Sequence, residues 1–171
     1  MKFKVTLLLI FSCNLAYSQL PTLDQLLILR VRSIADFEET IAQKKWKMIE
    51  VNEVTEDKMG SITFAYGTNS FDDKARAFIT LLTAPSQPNR IQLQINHQAD
   101  YLTYMSKMKQ MGFKLSSSKV IENSIIKVYT NKTSAIRIST YTGKEEYSSV
   151  SKTSYNFLIL KLSDLQKNFE D

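Results

Sequence analysis

Hydrophobic and polar residues alternate along several short stretches of this chain. The clearest alternation covers residues 90–95, in which three aliphatic residues are separated by Arg90, Gln92 and Gln94. Residues 61–66 alternate in the same way and place Phe64 and Tyr66 on one side. Because successive side chains of a β-strand point to opposite faces, both stretches predict strands with one face buried and one face in water.

Apolar residues at helical spacing predict two helices near the N-terminal end of this patterned region. Thr22 and Gln25 form a capping-box pattern before a short, nearly apolar helix, for which an edge strand over residues 26–31 is the alternative. Ser33 caps a second helix, whose apolar face contains Phe37 and Ile41. This second helix ends at Lys44-Lys45, where lysines favour the negative end of the helix dipole.

A third helix is predicted from residue 96 onwards. Asn96 is the expected N-cap, and Tyr101, Met105 and Met108 form an apolar face with Leu102 beside it. Gly112 follows the last apolar position, where a glycine commonly ends a helix in the left-handed conformation. The methionines of this helix are more typical of a core than of a pliable binding surface.

The helix and the strands after it recur about 65 residues later in the chain. Trp46 follows the helix of the first copy and Phe113 follows the helix of the second. Residues 61–66 match residues 124–129, although this alignment puts Lys127 where Phe64 points inward and leaves the register of that strand open. A period of this size indicates a duplicated supersecondary unit.

The remaining strands complete each copy. One is predicted to start at Trp46, and the others at residues 75–82, 113–115 with an extension towards 120, 125–130, 135–141 and 155–162. Turns are predicted at 67–74, 85–89, 131–133 and 142–146, and residues 163–171 read as a short polar tail with one frayed helical turn. Strands in succession, without helices between them, indicate antiparallel pairing.

The fold class predicted is therefore α+β, with two tandem helix-plus-four-strand units in one long antiparallel sheet and the helices on one face. Residues 19–171 would form a single domain, with one repeat unit at about 22–95 and the other at about 96–162. A chain of this length can bury enough apolar surface to fold without disulfides.

This element order resembles the β-lactamase-inhibitor-protein-like architecture over roughly residues 22–162. Lys44-Lys45-Trp46-Lys47-Met48, together with residues 61–66, is also similar to small uncharacterised exported proteins of Gram-negative Bacteroidota. The first resemblance implies one concave antiparallel sheet that binds partners. Inhibition of β-lactamases is not carried over, because the inhibitor architecture relies partly on disulfides that this chain lacks.

Residues 1–18 have the pattern of a secretory signal peptide. Lys2 and Lys4 precede an apolar run at residues 5–11, and Ala16 and Ser18 supply small residues before a cut at Gln19. The alternative is lipidation of Cys13, which follows a loose lipoprotein box. The chain is thus expected to be periplasmic or secreted, with an outer-membrane-anchored lipoprotein as the alternative and no transmembrane segment after cleavage.

Charge and composition argue against several classes of function. Removal of residues 1–18 leaves 20 basic and 17 acidic residues, a net charge of +3 that is too weak and scattered for a nucleic-acid interface. His97 is the single histidine, and without cysteine ligands it cannot complete a zinc site. Four glycines, at 60, 67, 112 and 143, do not form a phosphate-binding loop. No metal and no cofactor are expected.

Acidic pairs occur at residues 38–39, 56–57, 72–73 and 145–146. Glycoside hydrolysis needs two carboxylates facing one cleft, whereas these pairs fall at a helix start and in turns, where acids are common. Lys44-Lys45-Trp46-Lys47 could contact a membrane surface, but the matching Phe113-Lys114 favours a core aromatic beside helix-terminal lysines.

The function predicted is a non-catalytic binding or interaction protein that uses the solvent-facing side of the sheet. The candidate contact residues are Arg90, Gln92, Gln94, Arg137 and Ser139. A broad polar sheet surface suits a protein or glycan partner of the cell envelope better than a small molecule. A carboxylate-dependent hydrolase of the envelope and a structural envelope component are the alternatives.

Overall fold

The computed structural model describes residues 20–68, 75–144 and 151–168. Within these ranges the chain forms four helices and one antiparallel sheet of eight strands, so the predicted α+β class is confirmed. The helices are α1 (Leu23–Leu29), α2 (Ile34–Ala42), α3 (Gln98–Gln110) and α4 (Leu162–Asn168). The strands are β1 (Lys47–Asn52), β2 (Gly60–Tyr66), β3 (Ala77–Ala84), β4 (Gln87–Ile95), β5 (Lys114–Ile121), β6 (Ser124–Thr130), β7 (Ser134–Lys144) and β8 (Ser151–Lys161).

The strand order across the sheet is β1-β2-β3-β4-β8-β7-β6-β5. Strands β1 to β4 follow one another as antiparallel neighbours, and so do β5 to β8. The two series meet where β4 pairs with β8, from Ile91 opposite Ile159 to Ile95 opposite Tyr155. The first and fifth strands are therefore the two edges of the sheet.

The first two helices begin as the capping patterns predict. The Thr22 hydroxyl accepts a hydrogen bond from the Gln25 amide, and the Gln25 side chain accepts one from the Thr22 amide. Ser33 and Asp36 form the same reciprocal pair at α2. The alternative of an edge strand at residues 26–31 is wrong, because this segment lies mainly within α1.

The start of α3 differs from the prediction. His97, not Asn96, is the N-cap residue, and its side chain makes no capping hydrogen bond. The Asn96 side chain instead donates to the carbonyl oxygen of Ala75, at 3.5 Å. The predicted end is confirmed, since Gly112 has a φ of +75°.

Several strands are longer than the sequence pattern indicates. β4 begins at Gln87, so it includes part of the turn predicted at residues 85–89, and β7 continues to Lys144 through part of the turn predicted at residues 142–146. β5 reaches Ile121, as the extended version of its prediction allows. The acidic pairs at 72–73 and 145–146 lie outside the described residues.

The main core lies between one face of the sheet and the first three helices. Leu26 of α1, Phe37 of α2 and Met108 of α3 belong to one buried cluster with sheet residues that include Leu93 and Phe157. Phe37 contacts Phe64 edge to face, with ring centroids 6.0 Å apart. We call this side of the sheet the helix face.

The aromatic residues before the first strand of each series are buried, as predicted. Trp46 is 5% exposed and Phe113 is 6% exposed, and both belong to the main cluster. The strand pairing also defines the register of β6, in which Lys127 lies opposite Ile138. Ile138 belongs to the cross-strand row that contains Leu93 and Phe64. Lys127 therefore lies on the helix face, near the sheet edge.

Residues 163–171 are predicted as a short polar tail with one frayed helical turn, and the structure shows a longer helix here, because residues 162–168 form α4. Leu165 of α4 packs with Ala135 and Leu160 in a second, smaller cluster. Ala135 and Leu160 alternate along their strands with Ile136 and Ile159, which belong to the main cluster. The fourth helix thus covers one end of the opposite face, on which the sequence pattern predicts no helix.

Candidate functional site

The sheet surface opposite α1, α2 and α3 contains most of the predicted contact residues. We call it the open face. Two rows of side chains, each formed by residues that are paired across β4, β8 and β7, lie at its centre. One row is Gln92, Leu158 and Arg137, and the other is Gln94, Asn156 and Ser139.

The open face is a polar surface that is only half exposed. Gln92, Gln94, Arg137 and Ser139 are all intermediate in burial, because neighbouring side chains on a sheet cover one another. The Gln92 row continues on β3 through Thr80, whose hydroxyl lies 3.0 Å from that of Thr63 on β2, whereas the Gln94 row continues through Phe78. Hydroxyl and amide groups therefore share this surface with apolar side chains such as Phe78 and Leu158.

Asn156 lies at the centre of this polar group. Its side-chain oxygen, Oδ1, is buried and has no hydrogen-bond partner among the described residues. A buried acceptor without a partner costs about 1–3 kcal/mol, so such groups are rare in folded proteins. A partner's donor that reached this oxygen, after the side chains over it had moved aside, would remove that cost.

Basic side chains surround the amide and hydroxyl centre of the open face. Lys47 pairs with Ala65 in the row of Gln94, and Lys119 pairs with Ile126 at the other end of the same row. Both lysines are exposed, and Glu50 is an exposed acidic residue opposite Thr63. With Arg137 near the centre, these groups make the described part of the face weakly cationic.

Arg90 has a different role from the one predicted. Its Nε atom donates to Oδ2 of Asp164 at 2.7 Å, and one terminal nitrogen donates to Oδ1 at 2.9 Å. The Arg90 side chain is 13% exposed and that of Asp164 is 1% exposed. Arg90 thus anchors α4 to the sheet, and its polar atoms are not presented to a partner as the prediction requires.

The candidate catalytic residues that the structure describes lie on different elements. His97 is exposed at the start of α3, Glu38 and Glu39 are exposed on α2, and residues 56–57 are exposed between β1 and β2. Across the described ranges, no three His, Cys, Asp or Glu side chains are close enough together to hold a metal ion.

The basic-aromatic segment before β1 is part of the folded core. Trp46 packs against Tyr66, with ring centroids 5.4 Å apart. The ammonium group of Lys44 donates to the Gln25 side chain at 2.8 Å, and burial lowers its pKa from the usual value. These contacts favour the structural interpretation of the segment over a membrane contact.

Sequence reasoning missed Asn156 as a member of the site. The signal was present, because Tyr155, Phe157 and Ile159 alternate with Asn156 and Leu158 in the predicted strand. The same alternation that selected Gln92 and Gln94 would have assigned Asn156 to the solvent-facing side. That β8 lies between β4 and β7 could be seen only in the sheet topology.

Comparison with family models, with curated proteins and with solved structures found no match for this chain. In the part of the chain that the structure describes, none of the helices is long and apolar enough to span a bilayer. The geometry of the open face is therefore the main evidence on function.

Proposed function

We propose that this protein is an exported, non-catalytic binding protein that meets a protein or glycan partner of the cell envelope through the open face. The observation that carries the proposal is the buried, unpartnered Oδ1 of Asn156, which lies between Gln94 and Ser139. Amide and hydroxyl side chains both donate and accept hydrogen bonds, as recognition of a peptide backbone or of sugar hydroxyls requires.

The shape of the open face supports a macromolecular partner. Its rows extend across all eight strands, and α4 covers only the end near Leu160 and Ala135. Small-molecule sites are usually concave and mostly apolar, whereas protein interfaces are broad and rich in arginine. Arg137 is the arginine near the centre of this surface.

The proposal includes export and a duplicated architecture. The signal-peptide pattern of residues 1–18 supports a periplasmic or secreted protein, with lipidation at Cys13 as the alternative. The succession of α2 with β1–β4 and of α3 with β5–β8 supports two tandem units with α2 and α3 on one face. The proposal also keeps the resemblance to the β-lactamase-inhibitor-protein-like architecture, which rests on the element order over roughly residues 22–162.

The first test combines Gln92→Ala, Arg137→Ala and Ser139→Ala in one variant. Arg90 is left intact, because its loss would disturb α4. Purified wild-type and variant proteins are used to capture partners from envelope extract and are applied to a glycan array. We expect a partner that binds the wild type and is lost by the variant. A matched triple variant of exposed helix residues, Glu38→Ala, Glu39→Ala and Lys109→Ala, should retain it.

The second test uses Asn156→Leu. Because the native Oδ1 is buried without a partner, we expect the variant to be as stable as the wild type or more stable. The same variant should lose the partner found in the first test. Full binding by either face variant in its folded state would contradict the proposal, and turnover of a defined substrate would replace it with an enzymatic function.

A further inference from the structure

A cleft separates the C-terminal end of α1 from the turn between β6 and β7. It consists of two adjoining cavities of about 670 and about 430 Å³, which share Arg30, Val31 and Thr133 in their walls. The cleft is distinct from the open-face rows, because none of its lining residues belongs to them.

Arg30 is the buried cation of this cleft. Only 8% of the residue is exposed, and its Nε atom is buried without a hydrogen-bond partner among the described residues. An arginine side chain stays protonated in proteins, so the charge remains despite the burial. Buried charges are normally paired and hydrogen-bonded, which makes an arginine in this state unusual.

The acidic group that acts on the charge of Arg30 is already bonded to another arginine. Burial lowers the pKa of Arg30, and the Asp164 carboxylate opposes that shift. Both oxygens of Asp164, however, already accept hydrogen bonds from Arg90. Among the described residues, this one carboxylate thus acts on two arginines, which together carry more positive charge than it balances.

The rest of the lining adds to this positive charge. Arg32 lines the larger cavity and Lys161 lines the smaller one. No acidic residue is among the lining residues of either cavity in the described part of the chain. A ligand in the cleft would therefore meet cations without an opposing carboxylate in the wall.

The remaining walls are partly apolar and partly built from a tight turn. Leu27, Ile28, Val31 and Met111 supply apolar surface, and Ile28 and Val31 are 54% and 69% exposed. In the turn, the Asn131 side-chain oxygen accepts from the amides of Thr133, at 3.0 Å, and Ser134, at 2.9 Å. These bonds hold the Thr133 hydroxyl at the wall that both cavities share.

We propose that this cleft binds a small amphiphilic anion, namely a carboxylate or phosphate group carried on an apolar chain. The oxyanion meets the Arg30 guanidinium, whose forked donors match the oxygens of either group, and Arg32 and Lys161 add positive charge at the rim. The apolar chain lies against Ile28 and Val31, which are otherwise in water. This site is independent of the proposed open-face function.

The test is isothermal titration calorimetry on the purified protein with four probes: octanoate, octyl phosphate, octanol and acetate. We expect octanoate or octyl phosphate to bind at least about tenfold more tightly than octanol and acetate, the ratio that about 1.4 kcal/mol of extra interaction produces. Comparison of the two anions distinguishes a carboxylate ligand from a phosphate ligand. Equal affinity for octanol, or no binding of either amphiphilic anion, would overturn the proposal.

Variants locate the binding site. Arg30→Met should remove binding of the anionic probe while the protein stays folded, because it removes a buried polar atom that has no partner and leaves Asp164 bonded to Arg90. If Arg30→Met does not fold, the double variant Arg32→Gln with Lys161→Gln tests whether the anion binds in this cleft. Both residues are exposed, so their replacement should leave the protein folded. That variant should weaken binding severalfold, whereas retained affinity would overturn the proposal.

Lys132→Gln is the matched control. Lys132 is an exposed lysine of the same turn that lines neither cavity, so its loss should leave the affinity unchanged. An equal effect of Lys132→Gln would indicate a diffuse charge effect and would contradict a defined site. The Gln92, Arg137 and Ser139 triple variant should also bind the anion normally, which separates failure of this proposal from failure of the open-face proposal.

Discussion

Several polar side chains of this protein are buried, two of them with an atom that has no hydrogen-bond partner among the described residues. Asn156 and Arg30 each bury a polar atom without a partner in the described structure, and Arg90 and Asp164 form a nearly buried ion pair. Each group lowers stability unless another contact compensates for it. The energetic consequences of these side chains can be tested one by one.

The Arg90–Asp164 pair should be far more important for stability than the exposed Arg76–Asp100 pair. Asp164→Asn removes the carboxylate charge that accepts two hydrogen bonds from Arg90 in a nearly buried place, and we expect a loss of about 3–5 kcal/mol in the free energy of unfolding. Asp100→Asn is the matched control, with an expected loss of about 0–1 kcal/mol, because the Arg76 side chain is 47% exposed. Urea unfolding of both variants measures the difference, and equal losses would contradict the role assigned to Arg90.

Tyr104 should make stability depend on pH in the alkaline range. Its hydroxyl is buried and donates to the carbonyl oxygen of Pro21, and burial, with a smaller contribution from Asp100, raises its pKa. The unfolded chain ionises its tyrosines near pH ~10, whereas folded Tyr104 keeps its proton. The unfolded state then binds fewer protons, so the free energy of unfolding falls as pH rises above that value, by at most about 1.4 kcal/mol per pH unit.

Tyr104→Phe checks this dependence. At neutral pH the variant should be less stable by about 0.5–1.5 kcal/mol, because the bond to Pro21 is lost. Between pH 9 and 11 its stability should fall less steeply than that of the wild type. Tyr141→Phe, at an exposed tyrosine, should leave the slope as it is. Parallel wild-type and Tyr104→Phe curves would show that Tyr104 does not cause the dependence.

At the scale of elements, the aromatic residue before each first strand is a shared feature of the two series. Trp46 precedes β1 and Phe113 precedes β5, and both are buried in the same cluster. If the two residues are equivalent anchors, Trp46→Ala and Phe113→Ala should each cost about 3–5 kcal/mol. Leu115→Ala, at an exposed position two residues after Phe113, should change stability by less than about 0.5 kcal/mol. Urea unfolding separates these outcomes, and a small loss at either aromatic would exclude an anchoring role for it.

Residues 1–18 lie outside the residues that the structure describes, so the expectation for this segment rests on the sequence alone. We expect the exported protein to begin at Gln19, because Ala16 and Ser18 match the small residues that precede a signal-peptide cleavage site. Intact mass of protein recovered from an exporting host measures this directly. A mass that corresponds to an acylated N-terminus at Cys13 would instead place the protein on a membrane.

For the whole molecule, the pairing of β4 with β8 should make unfolding a single event. Residues from α1, α2 and α3 and from both strand series belong to one cluster, and the two series share five paired positions between Ile91–Ile95 and Tyr155–Ile159. A shared core of this kind favours an all-or-none transition.

Trp46 allows a direct test, since it is the single tryptophan of the chain and lies in the first series. Its fluorescence reports the region around β1 and β2, whereas far-ultraviolet circular dichroism reports all helices and strands. We expect the two urea-unfolding curves to coincide. A fluorescence transition at clearly lower urea would mean that the first series unfolds independently of the second.

The sequence by itself determined most of the elements and the buried face of the strands at residues 61–66 and 90–95. Alternation over residues 90–95 and 61–66 predicts β4 and β2, and the pairs Thr22–Gln25 and Ser33–Asp36 predict the starts of α1 and α2. These signals are local, since a strand alternates every second residue and a helix cap is complete within four residues. Strand ends were less accurate, because partner strands extend pairing into polar residues such as Gln87 and Lys144.

Only the tertiary structure decided which distant residues meet. The position of β8 between β4 and β7 brings Asn156 into the predicted site, and the docking of α4 pairs Asp164 with Arg90. Likewise, the cleft at Arg30 forms because the end of α1 faces the turn at Thr133. These contacts join residues far apart in the chain, and their energies depend on burial and on unsatisfied hydrogen bonds, which no local pattern records.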